Sequence, residues 1–167
     1  TNLATCHAAN ASSASGPNGT GPDGETRIDG VDLFWKWKSP TAEKGFPFVK
    51  VQAEGMWRRY DAAATETLPA ETFRDHGAYA QVLWGWKPRW VVGARFDTTG
   101  GDDGGAALEE PALDERSRYS LVATWYPTEY SKLRLQYSRD DRTAFADAHT
   151  VWAQFEFLLG AHAAHKF

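Results

Sequence analysis

An all-β fold, an antiparallel up-and-down transmembrane β-barrel, is the class this sequence predicts. Three observations carry the prediction. Apolar and polar residues alternate with period two in seven segments. The connections between those segments alternate between short and long. Aromatic residues are abundant, with 8 Trp, 6 Tyr and 9 Phe, and gather near the segment ends. A ring with one apolar and one wet side suits a membrane interface.

Bulk composition narrows the function classes. A formal charge of -4 argues against a nucleic-acid partner, which would call for a basic face. Mean hydropathy is -0.54, and no run of about 18 apolar residues occurs, which excludes a transmembrane helix. A membrane barrel escapes that test, because its alternating strands average out as polar. The lone cysteine, Cys6, permits no internal disulfide.

Residues 1–25, rich in Ala, Ser, Gly, Asn and Pro, read as a flexible polar segment placed as an extracellular loop. Residues 26–167 read as barrel strands. "GVDLFWKWK" sets Val31, Leu33, Trp35 and Trp37 against Asp32, Phe34, Lys36 and Lys38. "FVKVQAEGMWRRY" repeats the pattern, with Val49, Val51, Ala53 and Trp57 opposing Lys50, Gln52, Glu54 and Arg58. "GAYAQVLWGW", "RWVVGARFD", "RYSLVATWY", "KLRLQYSR" and "TVWAQFEFLLG" continue it. No segment has a helical period.

Short connections are expected around Ser39–Phe46, Lys87–Pro88 and Pro127–Ser131, and long polar ones around Asp61–His76, Thr98–Ser117 and Asp140–Ala148. Outer-membrane barrels have this layout, with short turns on the periplasmic side and long loops outside. Trp35, Trp37, Trp84, Trp86, Trp90, Trp125 and Tyr126 fall beside the short turns and are expected to form one aromatic girdle. Trp57, Tyr60, Phe96, Tyr119 and Tyr137 are expected to form the other. Seven is an odd strand count, and single-chain bacterial barrels have even ones. The chain is therefore expected to be the C-terminal part of a larger barrel, with a missed eighth strand as the rival explanation of the odd count. A soluble barrel or sandwich is the competing fold, since alternation does not say which face is inside.

The polar faces supply the candidate lumen residues: Lys36, Lys50, Glu54, Arg58, Arg95, Arg134 and Glu156. Charges of both signs on one face suit a water-filled or networked interior. No Gly-x-Ser-x-Gly elbow, phosphate-binding glycine loop or paired-cysteine motif is present, and no catalytic residue is nominated. The acidic stretch from Asp97 to Glu115 lacks the ligand spacing of a calcium loop.

The final segment has apolar residues at alternate positions, including Phe157 and Leu159, and ends on Phe167. It resembles the C-terminal signature strand of bacterial outer-membrane proteins. That resemblance implies outer-membrane lipid and the barrel assembly machinery as partners, with Phe167, Leu159 and Phe157 as the assembly signal. His165 departs from the pattern, standing where a hydrophobic residue is expected. "LGAHAAHKF" is similar to the ending of a group of proteobacterial outer-membrane proteins described as zinc-regulated or TonB-dependent-receptor-like. No plug domain is visible, so active uptake is not carried over.

Zinc is the one cofactor the sequence suggests. His162 and His165, three apart, point to opposite faces of a regular strand. Cys6, His7, His76 and His149 form a second set of suitable ligands, all in segments expected outside the cell. The expectation is a porin-like outer-membrane channel for small solutes or metal ions. The alternatives are a non-conducting surface-recognition barrel and a soluble ligand-binding barrel.

Overall fold

Period-two alternation leaves each segment with one face to bury and one to wet, and pairing with its sequence neighbour satisfies its backbone. A computed structural model describes residues 8–13 (backbone), 24–64, 70–102, 115–143 and 146–159. Eight antiparallel strands form one sheet in sequence order. They are β1 (Ala8–Ser13), β2 (Glu25–Glu43), β3 (Phe46–Ala62), β4 (Glu71–Lys87), β5 (Trp90–Asp102), β6 (Arg116–Thr128), β7 (Ser131–Arg142) and β8 (Ala148–Phe157). The seven predicted strands are β2 to β8. The sheet is open, since no pairing joins β8 to β1.

The strands run further than the alternation suggested. β2 to β4 are 17–19 residues long and consume much of what read as connection. Residues 71–76, read as loop, pair with residues 57–62 of β3. Six residues of the segment read as a polar loop form β1, which pairs with Thr26–Val31. Beyond Val31, the β1-facing edge of β2 has no strand beside it among the described residues, from Asp32 to Glu43.

The three short connections are two-residue turns, all at one end of the sheet. Glu43 pairs with Phe46 across Lys44 and Gly45, whose φ values of 50° and 84° fit a type I′ hairpin. Lys87 pairs with Trp90 across Pro88 and Arg89. Proline first and a positive φ second is a type II arrangement, and Arg89 sits at φ 73° where glycine is favoured. The third turn is held by side chains. Thr128 Oγ1 lies 2.8 Å from Ser131 Oγ and accepts from the Tyr130 amide at 3.1 Å.

Arg89→Gly is expected to raise stability by about 1 kcal/mol by relieving the left-handed backbone. Its carbonyl bond to the Tyr126 amide, 2.9 Å, is unaffected by the change. A shift in the denaturant midpoint of the refolded protein would show this; a decrease would mean that the guanidinium itself stabilises the turn.

Candidate functional site

Directly opposed residues in an antiparallel ladder share a face, so the register sorts every side chain. Phe34, Gln52, Gln81, Arg95, Ser120, Ser138 and Thr150 form one continuous row across β2 to β8. This is the polar face. The alternating positions carry Trp35, Val51, Val82, Ala94, Leu121, Tyr137 and Val151, the apolar face.

Burial on the two faces is inverted relative to a water-soluble sheet. Among the described residues the enclosed side chains are Val91, Ser120 (7% exposed), Thr124, Ser138 and Asp140 (6%), all on the polar face. The large exposed side chains include Val82, Trp84, Leu121 (61%), Leu135, Val151 (67%) and Phe155, all on the apolar face. Met56, Tyr60 and Trp152 are exposed on the polar side. No second layer covers the apolar face among the described residues.

Aromatics bound that face at both ends. At the short-turn end, Trp84, Trp86, Trp90 and Trp125 form a chain of ring contacts 5.9–6.0 Å apart across β4 to β6. Phe155 and Phe157 stack at 6.5 Å on β8. At the long-loop end, Phe96 meets Tyr119 at 5.0 Å. Tyr137 stacks on His149 at 6.0 Å, its hydroxyl 2.7 Å from Nδ1. Between the two ends the face carries Val51, Ala53, Ala80, Val82, Val92, Ala94, Leu121, Ala123, Leu135, Val151 and Ala153, with no charge. Tyr60, expected in the outer girdle beside Trp57, lies instead on the polar face and stacks on Phe73 at 6.1 Å. Trp57 and Tyr60 are an odd number of residues apart, so they cannot share a face in a regular strand.

The polar face is a network. Gln81 donates to Gln52 at 2.8 Å, and Ser120 Oγ lies 2.9 Å from Ser138 Oγ. Arg58 donates to Asp75 and Arg95 to Asp97, each at 2.8 Å through Nε. Arg95 also lies over the Tyr79 ring, 4.0 Å from its centroid. Asp140 accepts from Arg118, with one contact at 2.9 Å, and from Arg116 at 3.4 Å. All seven candidate lumen residues (Lys36, Lys50, Glu54, Arg58, Arg95, Arg134 and Glu156) fall on this one face. The Asp75, Arg118 and Asp140 partners were missed, because Asp75 and Asp140 read as loop.

At the long-loop end the apolar face also carries ion pairs, beyond its aromatic rim: Arg27–Asp29, Arg59–Asp61 and Arg139–Asp141, with Arg139 also meeting Asp147. Asp61, the penultimate residue of β3, accepts from the Thr72 hydroxyl at 2.6 Å and from Arg59. The hydroxyl first and the guanidinium second hold its carboxyl below the usual 3.8. A depressed acid stabilises above its unfolded pKa, and the contribution is lost as pH falls through the folded value. A carbon-13 titration of the Asp61 carboxyl should therefore have its midpoint below 3.8, and Thr72→Val should return it toward 3.8. An unchanged midpoint in the variant would assign the effect to Arg59 alone.

The histidines separate. His76 lies in β4 and His149 in β8, inside strands rather than in the connections where they were expected. Four strand spacings, about 19 Å, part them, too far to share an ion. Cys6, His7, His162, His165 and Phe167 lie outside the described residues. Among the described residues no cluster of three metal-ligating side chains occurs. Phe157 closes β8, the Leu158 amide donates to Tyr130 O at 2.8 Å, and Leu159 is exposed.

No family model matches the chain, and no solved structure matches it. An uncharacterized protein of Aquifex aeolicus (strain VF5) is 29% identical over 154 residues, covering 86% of this chain and 31% of that relative. The chain thus spans about a third of the length of the curated relative it matches.

Proposed function

We propose that these strands are part of an outer-membrane β-barrel whose apolar face meets lipid and whose polar face lines a water-filled route for small solutes. One observation carries the reading: across a single sheet the enclosed side chains, Val91 apart, are polar, while the apolar face leaves large side chains such as Leu121, Val151 and Phe155 exposed. In water, that sheet would leave its apolar face uncovered at a cost of about 25 cal/mol per Å². In a bilayer the exposure costs nothing. On β3 the uncharged apolar face runs from Val49 to Trp57, about 26 Å along the strand and about 20 Å of membrane depth at a ~40° tilt. That approaches the ~25 Å apolar band of such barrels.

The edges of β2 beyond Val31 and of β8, unpaired among the described residues, leave positions for further strands, and the greater length of the Aquifex relative leaves room for them. The cross-linked polar face favours a second reading, a barrel whose interior is filled by its own side chains and conducts nothing. Heat-modifiability of the full-length protein from isolated outer membranes tests the barrel. A gel mobility shift between boiled and unboiled samples is expected. Recovery in the soluble fraction without a shift would overturn the membrane reading. Single-channel conductance then separates the pore from the filled barrel.

A further inference from the structure

Charge on the polar face is divided along the strands. Toward the long loops, each arginine of the Arg58–Asp75, Arg95–Asp97 and Arg118–Asp140 pairs is neutralised by a carboxylate. Toward the short turns the balance changes. Lys36 and Lys50 are directly opposed, and Lys38 faces Phe48 one tier nearer the turn. Arg134 occupies the corresponding tier of β7, opposite Thr124. None of these four cations has an ion pair among the described residues, whereas Glu156 is held by Lys132 at 2.7 Å.

Like charges placed directly opposite each other destabilise a sheet. The Lys36–Lys50 pair is tolerated through aromatic faces rather than carboxylates. Lys50 Nζ lies 5.0 Å from the Phe34 ring centroid, and Lys36 Nζ 5.8 Å from that of Phe48. A ring quadrupole holds an ammonium without cancelling its charge, so the positive potential stays open to a ligand. Lysine is also a compact point charge that does not clamp a ligand in two-pronged fashion as arginine does. Conduction needs that kind of weak, repeated binding.

We propose that Lys36, Lys38 and Lys50 form an anion-recruiting tier that takes the carboxylate or phosphate group of a small solute, with Arg134, four strand spacings from β3, adding to the positive potential rather than to the same contact. The proposal rests on the polar face lining the interior, as argued above.

The test uses the full-length protein in planar bilayers under a potassium chloride gradient. The reversal potential is expected to show anion preference. Lys36→Gln with Lys50→Gln should reduce the chloride-to-potassium permeability ratio about threefold, and the Glu variants at both positions should invert it. Conduction without anion preference, or a reversal potential unmoved by the Glu variants, overturns the proposal. Heat-modifiability confirms that each variant folds, and Lys36→Arg with Lys50→Arg, which keeps the charge, should retain anion preference.

If the protein conducts nothing, the pore reading fails and inorganic phosphate binding to the detergent-folded protein decides the anion site. Binding weakened about tenfold in the Gln variants supports it. Absence of binding to the unsubstituted protein overturns it.

Discussion

Leu121→Arg is expected to cost about 2–4 kcal/mol of folding free energy when the full-length protein is refolded into lipid vesicles. Leu121 lies between Trp125 and Tyr119 on the apolar face of β6, opposite Ala94 and Tyr137, and is 61% exposed. Nothing in the protein surrounds it closely, so an arginine there meets no steric obstacle. In water the substitution would fall within about 0.5 kcal/mol of neutral, as ordinary surface changes do. In hydrocarbon the guanidinium loses its hydration. Gln136→Arg, on the polar face, serves as the control and should cost less than about 1 kcal/mol. Urea titration of vesicle-refolded protein reads both. A neutral Leu121→Arg would place the apolar face against something other than lipid.

Asp140→Ala is expected to cost about 2 kcal/mol, below the 3–5 typical of a broken buried pair. The carboxylate is enclosed and joins Arg118 and Arg116, while Arg142 faces Arg116 across the ladder. Removing it leaves Arg116 and Arg118 without their shared counter-charge, with Arg142 directly opposite Arg116. The arginines are 43% and 45% exposed at positions 116 and 118, and water screens them, which sets the lower figure. A cycle with Arg118→Ala isolates the coupling: the double variant should lose less than the sum of the singles. Additive losses would mean that Asp140 acts through something other than Arg118.

The strands and their faces were legible because alternation is local. Once Val51 and Val82 face one way, parity places Gln52 and Gln81 on the other side, and pairing of opposed residues preserves that parity across the sheet. That is why seven scattered charged residues could be assigned to one face from sequence. Strand length was not legible. Asp75 looks like a loop residue by itself and becomes the rung partner of Arg58 only when β3 and β4 pair. β1, "AANASS", has weak strand propensity and exists through its partner β2. The histidine readings were weakest, because ligand sets depend on non-local geometry that spacing along the chain does not supply.

Every strand in this sheet pairs with its nearest neighbours in sequence. Such a sheet can form by successive hairpins, each closing over a short span, and low contact order favours fast folding. In the barrel proposed above, the one long-range event would be the seam that joins the first strand to the last. Loop-closure entropy grows only logarithmically, by about 0.6 kcal/mol per doubling of length. A chain three times as long therefore meets a seam barely costlier than a short one. Growth by added hairpins is thermodynamically inexpensive, and the commitment to a final circumference rests on the two edges recognising each other.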